Sequence, residues 1–584
     1  MRQPSGHPCA MAVLATVAST MLSGACAEPR LEVATAAWRD VQVSLAEPTK
    51  RPKARLPLRP LDGNNPSGAL ILARLGPRRI ALIADQDSRA VRVIEPASHR
   101  ELSHLVVSGT PSQLVIGGDG RAYLALRDAN RVIALEVTHE TRVTLAPAGE
   151  IHTASEPVGL AVTPAGDGLL VASAWGKTLA LYGLDDLRTR ATVWLPREPR
   201  GVAVSADGRF AYVSHAVGPS VSRVALSGAS TRQAARLERT EVTLAGRDYT
   251  TSPQTAEHLR VAAQGFAIAP LGDQMIVPLV LVHPSRGGAT RAGPASYPTH
   301  QPALAMIDTR DGEAWLRVQH RGWAASHSRG HFAGGARRNT CFLPRAVAVD
   351  EPRGTLLIAC LGSNEVVAYD GTRAALAKSW RGRWSVPAGP LGIAVDGANR
   401  VAWVWSQFDS SLSAIDLPDG PPPELREPGG EQGPSQQPTK STVLAPVASG
   451  KGALPGLNAE VAQGRRLFHG LGLPRNTTAS RSCASCHPDG RQDGLVWPTP
   501  LGPRPTAPLT GRGRADNRTK AEQPASSARP LTPACPQLGQ GALTAAEVRA
   551  LVSYLRSLPA PRRPQRAAPS IDSDARMATD RAGN

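Results

Sequence analysis

Arg481-Ser482-Cys483-Ala484-Ser485-Cys486-His487 places two thiols three positions apart, with an imidazole directly after the second. The pattern is C-x-x-C-H, the attachment signature of a c-type haem. Two thiols at that spacing can add across the two vinyl groups of one haem. The adjoining histidine then becomes the proximal ligand of the iron. Two other chemistries use a C-x-x-C pair: half of a zinc site, or a dithiol redox centre. Zinc needs a second ligand pair at similar spacing, and none exists: Cys9 and Cys26 lie in the N-terminal leader, while Cys341, Cys360 and Cys535 are isolated. A thioredoxin-type pair needs a βαβ pattern, which is absent. One covalent haem c on Cys483 and Cys486, ligated by His487, is the expected chemical centre.

The chain around this centre has 584 residues, enough for two or three domains. With 41% hydrophobic residues and no long apolar run beyond the N-terminus, it reads as a soluble globular protein without a transmembrane span in its mature form. The net charge of +18 resembles a nucleic-acid footprint, but 59 of the 66 basic residues are arginine, a bias that codon usage also produces. No helix-turn-helix, zinc finger or RNA-binding motif accompanies it, so nucleic acid is not an expected partner. An acidic redox partner protein or an anionic surface fits the charge better, because opposite fields steer encounter.

Residues 1–27 read as a signal peptide: Arg2, an apolar run from Ala10 to Leu22, then Ser23-Gly24-Ala25-Cys26-Ala27. Ala25-x-Ala27 fits signal-peptidase cleavage. Leu-Ser-Gly-Ala-Cys resembles a lipobox with its leucine one place too far upstream, so lipidation of Cys26, and membrane anchorage through it, is the alternative. Both readings place the protein outside the cytoplasm, in the periplasm or at the outer membrane or cell surface of a bacterium.

Residues 28–67 form a polar, Pro- and Arg-rich linker, with Trp38–Val43 as a stray strand. From 68 to 417 a unit repeats: Pro-x-Gly, an apolar strand, an Asp/Gly turn, a second strand, a polar turn and a third strand. Its clearest copies start at Pro157, Pro199, Pro344 and Pro390, with weaker ones near Ile80, Pro111 and Gly265, seven in all. Gly159 and Gly201 are 42 residues apart, and Ala346 and Gly392 are 46 apart. Such a unit is a propeller blade, unable to bury both faces until neighbours stack on it. The Asp207-Gly208 turn is expected to be a tight hairpin of the primed type. Cys341 precedes the first strand of the sixth blade and Cys360 ends the second. Antiparallel pairing brings these points together, so an oxidising compartment makes them a disulfide; two buried thiols are the alternative. Residues 283–341 exceed what a blade loop needs and hold His283, His300, His320, His327 and His331. They read either as a surface insertion or as the source of a histidine that reaches the haem or a metal.

These repeats resemble the YVTN-type β-propellers and, more broadly, the haem d1 domain superfamily of cytochrome cd1 nitrite reductase. The resemblance implies a fold, and many such propellers serve as scaffolds. The expected class is mainly β: a seven-bladed β-propeller followed by a small α-helical cytochrome c domain.

Residues 418–453 are a Pro/Gly-rich linker, 454–560 the haem domain and 561–584 a disordered tail. Val461–Phe468 reads as a helix with Gly464 on one face. Leu543–Leu558 is a second, opened by the capping box Thr544/Glu547 and followed by Pro559. A glycine-bearing helix crossing an aromatic-bearing one, with C-x-x-C-H between them, is similar to the cytochrome c fold. The run from Ser482 through His487-Pro488-Asp489-Gly490, Asp493-Gly494, Trp497 and Gly502-Pro503-Arg504-x-Thr506-x-Pro508-Leu509 resembles the haem modules of the di-haem cytochrome c peroxidase/MauG-like group. That resemblance implies covalent haem on Cys483 and Cys486, His487 as proximal ligand and Arg504 supporting a propionate. Trp497 is either near the haem edge or a packing residue. Attachment after export, as the family implies, agrees with the leader.

The chain departs from that group in having one C-x-x-C-H. No histidine follows His487, and Met577 lies in the tail. The sixth iron position is open, or filled by a residue from elsewhere such as His469, Met577 or a loop histidine, or the module is degenerate between 510 and 540. Three functions follow: an exported c-type cytochrome for electron transfer, a peroxidase-like haem oxidoreductase, or a propeller binding scaffold with a degenerate haem module.

Overall fold

The computed structural model describes residues 57–61, 68–226, 237–244, 261–282, 300–318, 341–372, 380–417, 436–445, 447, 457–470, 482–499, 502–510 and 543–558. All belong to one compact unit, Leu56–Asn584. The signal peptide with Cys26, the Trp38–Val43 strand, His283, His320, His327, His331, Cys535, Met577 and the tail lie outside the described residues. Among the described residues no helix is long and apolar enough to cross a membrane.

Among the described residues seven antiparallel sheets of four or five strands follow one another along the chain, with their strands in sequence order except that in the fifth Val261–Ala263 and Ala269–Leu271 both pair with Gln274–Val282. They are the blades of a β-propeller. Blade 1 starts at Leu58–Pro60 and ends at Arg100–Val106; blade 2 runs from Pro111–Ile116 to Val143–His152. Blade 3 runs from Pro157–Val162 to Thr189–Trp194, and blade 4 from Pro199–Val204 to Glu238–Thr243. Blade 5 runs from Val261–Ala263 to Ala314–Val318, blade 6 from Pro344–Asp350 to Trp380–Ser385, and blade 7 from Pro390–Asp396 to Lys440–Val443. Side chains alternate between the two faces of a strand, and here both faces are apolar. The buried residues accordingly group across blade boundaries: Leu170 and Ala172 of blade 3 with Val202 and Val213 of blade 4, for example, and Ala346 and Leu357 of blade 6 with Ile393 and Val404 of blade 7.

The Pro-x-Gly lead-in has two physical jobs. The first is close packing. A Cβ built on Gly159 would stand 1.9 Å from the Arg200 carbonyl oxygen of the next blade, and one on Gly392 would stand 2.8 Å from the backbone nitrogen of Leu70. The second is a β-bulge at the x position: pairing slips between Pro157 and Gly159, Pro199 and Val202, Pro344 and Ala346, and Pro390 and Gly392. A bulge re-aims the side chain it carries. In blades 4 and 6 that side chain is Arg200 and Arg345.

Two expectations are corrected. The propeller extends past 68–417 at both ends. Leu58–Pro60 pairs with Leu70–Leu75 inside the stretch read as the 28–67 linker, and Lys440–Val443 is the outer strand of blade 7 inside the 418–453 linker. A three-residue strand and a mostly exposed polar one carry no apolar period to read. The Asp207-Gly208 turn is also not primed. Gly208 N–H donates to the Ser205 carbonyl at 2.8 Å, and of the turn residues only Gly208 has positive φ, +71°. Gly166 and Gly120 close the equivalent turns in the same way. This is a type I turn with a left-handed glycine after it, which adds a residue and its own bulge.

Cys341 and Cys360 are joined by a disulfide, with Cα atoms 5.1 Å apart, where Pro344 pairs with Cys360. The bridge closes a loop of 19 residues. Cutting it is expected to cost about 3 kcal/mol from chain entropy. Intact mass should rise by two hydrogens on reduction, and the reduced protein should unfold at lower denaturant; an unchanged mass would refute the bridge. Gly159→Ala is expected to lower stability by about 1–3 kcal/mol through overpacking of the blade 3–blade 4 seam, read in a urea melt against an exposed control such as Glu150→Ala.

Candidate haem-attachment site and its seat on the propeller

Among the described residues three α-helices follow the propeller. Helix α1 is Ala459–His469, capped by Asn458, whose side chain accepts from Val461 N–H at 2.8 Å. Helix α2 is the single turn Cys483–Cys486, and α3 is Ala545–Ser557, opened by the reciprocal Thr544/Glu547 box. Helices α1 and α3 cross at Gly464: a Cβ there would meet the Ala550 carbonyl oxygen at 1.9 Å and Tyr554 Cβ at 2.8 Å. Phe468 and Tyr554 pack ring to ring at 5.3 Å, in one apolar cluster with Cys483, Ala484 and Leu551. The same cluster takes in Phe342, Leu343 and Leu361 of the propeller.

Because α2 is one helical turn, Cys483 and Cys486 fall on the same side of it. Ser482 N–H donates to Ser485 Oγ at 3.0 Å, which fixes the start of the turn. Both cysteines and His487 are half-buried. His487 Nδ1 lies 3.2 Å from the Arg491 carbonyl oxygen. A backbone carbonyl only accepts, so Nδ1 carries the proton and the ring's lone pair sits on Nε2, the tautomer an axial ligand needs. Pro488-Asp489-Gly490 then turns sharply, with Asp489 at φ +52° and Gly490 at +74°.

Asp489 points at the propeller. Its Oδ2 accepts from Arg200 at 2.9 Å and from Arg127 at 3.2 Å. Enclosure works against its charge, but Arg200, Arg127, Arg491 and Arg345 outweigh that and hold the carboxyl far below the usual carboxylate range. Burial likewise opposes the charge of Glu156, and Arg127, Arg491 and Arg200 overcome it. Burial pushes the Arg345 guanidinium down to about 9, with Asp489 opposing the shift and Arg200 adding to it. The Arg491 side chain ends on Glu198 at 2.7 and 3.0 Å and on Glu156 at 2.6 Å, with its guanidinium 5.5 Å from the Trp175 ring centre.

Contacts on the other side of the module follow the same rule. Arg465 of α1 makes a two-pronged bond to Asp87 at 2.7 and 2.8 Å and lies 4.2 Å over the Phe408 ring; Arg466 pairs with Asp409. Gln264, in the break that splits the inner edge of blade 5 into Val261–Ala263 and Ala269–Leu271, donates to the Ser485 carbonyl at 2.5 Å. Trp175, Phe408 and Asp409 lie between second and third strands, Asp87 lies in the corresponding turn of five-stranded blade 1, between Arg78–Asp85 and Ala90–Glu95, and Glu156 and Glu198 precede first strands. The helical segment therefore sits on one propeller face.

The other candidate residues are dispersed. His469 is buried in the seam, its ring against Phe408, Phe468 and Tyr554 at 5.4, 5.1 and 5.9 Å, with Nδ1 3.0 Å from the Arg465 carbonyl. Burial pushes it down to about 4. Arg504 is exposed on a hairpin in which it pairs with Trp497. Trp497 is a packing residue: it lies against Ala263, Val280 and Val282, stacks on His300 at 5.7 Å and donates to Asp493 at 3.0 Å. Of the long-loop histidines, His300 thus meets the helical segment, as the first residue of the strand His300–Asp308. Burial raises the carboxyl of Asp493. Among the described residues no three His, Cys, Asp or Glu side chains are grouped to hold a metal ion.

Sequence reasoning missed Glu156, Glu198, Arg127, Arg200, Arg345, Gln264 and the anchoring part of Asp489 and Arg491. One signal was readable: arginine directly after the lead-in proline in two repeats, Pro199-Arg200-Gly201 and Pro344-Arg345-Ala346, where Val158 and Leu391 stand in others. Gly464→Ala is expected to force α1 from α3 and cost about 1–3 kcal/mol despite alanine's better helix propensity. A urea melt of the helical signal should show the loss, and Gln463→Ala, on the exposed face, should stay within about 0.5 kcal/mol.

No protein-family model matches the chain, and no curated protein does. Solved structures with a similar path include hydrazine synthase from Kuenenia stuttgartiensis, 13% identical over 64% of this chain and 98% of that one, TM-score 0.46. A functionally unknown protein from Desulfotomaculum acetoxidans is 10% identical over 62% and 98%, TM-score 0.42. Virginiamycin B lyase from Staphylococcus aureus is 15% identical over 60% and 95%, TM-score 0.36. Likeness at this distance leaves the seven-bladed propeller resting on the sheets themselves.

Proposed function

We propose that the chain is an exported c-type cytochrome that transfers electrons through one covalently bound haem, seated on a β-propeller scaffold. The observation that carries this reading is the geometry of residues 482–491: two thiols on one side of a capped helical turn, followed by an imidazole whose Nδ1 is tied to the Arg491 carbonyl. Each thiol would add its sulfur to one vinyl carbon and its hydrogen to the other, giving two thioethers. His487 would supply the proximal nitrogen, and Arg504, solvent-facing on its hairpin, would serve a propionate. Bound there, haem supplies a one-electron ferric/ferrous couple, whose potential the protein sets through ligand basicity and burial. The chain's own residues orient His487, pack Cys483 into the apolar cluster of Phe468, Leu551 and Tyr554, and hold the segment on the propeller. The exported location and an acidic redox partner belong to the same reading. They rest on the leader and the net charge of +18.

The test is expression with export and haem-loading machinery, followed by a pyridine haemochrome assay after acid–acetone extraction. One non-extractable haem per chain is expected, lost in Cys483→Ala/Cys486→Ala. A wild-type chain without covalent haem would overturn the reading and leave the scaffold. A high-spin ferric spectrum with peroxide turnover would replace electron transfer by peroxidase-like chemistry.

A further inference from the structure

His487 and the carbonyl that orients it are separated by the turn 488–490. The propeller holds the middle of that turn, Asp489, and the residue after it, Arg491, while His487 N–H donates to the Cys483 carbonyl at 2.9 Å and the Gly490 carbonyl accepts from Leu509 N–H at 2.7 Å. Asp489 is bound by Arg200 and Arg127, from blade 4 and the blade 2 turn. Arg491, whose carbonyl lies 3.2 Å from His487 Nδ1, is bound through its side chain by Glu156 and Glu198, ahead of blades 3 and 4. Within the turn, Gly490 N–H donates to the His487 carbonyl at 2.9 Å and Arg491 N–H to the Pro488 carbonyl at 2.9 Å, so movement at 491 is transmitted to 487. The guanidinium of Arg491 is spent on Glu156 and Glu198. It is an anchor for its own backbone.

We propose that the propeller positions the iron's proximal imidazole: Glu156 and Glu198, acting through Arg491, fix the carbonyl that holds the His487 Nδ1–H. This rests on the haem reading above. The tighter that hydrogen bond, the more electron-rich the imidazole and the more it favours ferric iron. Loosening the anchor raises the midpoint potential. Simple electrostatics predicts the opposite for loss of Arg491, since removing a nearby cation favours the ferric state and lowers the potential. The two effects have opposite sign at this residue.

The experiment is redox titration of the full-length haem-loaded protein and its variants. Arg491→Met is expected to raise the midpoint potential, and Arg491→Lys, which keeps the charge and one anchor, to return it part of the way. A fall, or no change, in the Met variant overturns the proposal. If Arg491→Met does not fold, Glu198→Asp takes its place: it keeps every charge and shortens the anchor by one methylene. A rise supports the proposal there and an unchanged potential overturns it. A wild-type protein that carries haem while its variants keep the wild-type potential refutes the positioning alone. A wild-type protein without haem refutes both readings.

Discussion

Everything in this molecule depends on closing a ring. Each blade is a sheet with two apolar faces, and it is stable only when both are covered, so blade 7 must meet blade 1. At that seam the backbones come close, with Gly392 against Leu70. A buried polar network ties the chain's distant parts: the fully buried Arg92 donates to Asp85 at 2.8 Å, Glu101 at 3.0 Å, Ser88 at 3.1 Å and the Ala445 carbonyl at 2.8 Å. Gln407 of blade 7 donates to Asp85 at 3.0 Å and accepts from Trp405 and from Gln86 N–H. Burial raises the Asp85 carboxyl, yet Gln407, Arg92 and Ser88 together bring it below its usual range. A buried pair of charges is tolerable only when its remaining donors and acceptors are met, as here. Residue 92 and residue 445 are thereby joined without a shared strand.

The closed ring presents one face on which the helical segment sits, and the chemistry of that face comes from irregularities in the repeat. The bulge after the lead-in proline carries Arg200 and Arg345, and the broken inner edge of blade 5 presents Gln264. The acceptor side comes from Glu156 and Glu198, both at positive φ, and from Asp489. Glu156, Glu198 and Asp489 are paired with Arg127, Arg200 and Arg491 in a place largely removed from water, where a lone charge would be costly; Arg345, the fourth guanidinium, is held by the Pro344 carbonyl, Gln264 and the Phe266 ring instead of a carboxylate. This is why the C-x-x-C-H turn has a fixed seat although the stretch joining its domain to the propeller reads as a Pro/Gly-rich linker.

Much of this was legible in the chain. The seven copies gave the blade count, since apolar alternation and turn residues are local properties. The Thr544/Glu547 box marked the start of α3, and Gly464 with Tyr554 marked the helix crossing. Cys341 and Cys360 were paired by the antiparallel logic of one hairpin. The failures are equally physical. Leu58–Pro60 and Lys440–Val443 were missed because short or solvent-exposed strands need no apolar pattern. The turn at Gly208 was mistyped because a type I turn with a bulge and a primed turn use the same Asp-Gly pair.

By itself, then, the sequence determined the repeat, the helices and the position of two thiols and an imidazole, because each depends on spacing within a few residues. Only the tertiary structure decided what surrounds them. Arg127, Glu156, Arg200 and Glu198 stand about 290 to 360 residues before the carboxylate and guanidinium they bind at 489 and 491. No local period encodes such a contact. It exists because ring closure brings the loops of blades 2, 3 and 4 to one mouth and sets the 487–491 turn over it.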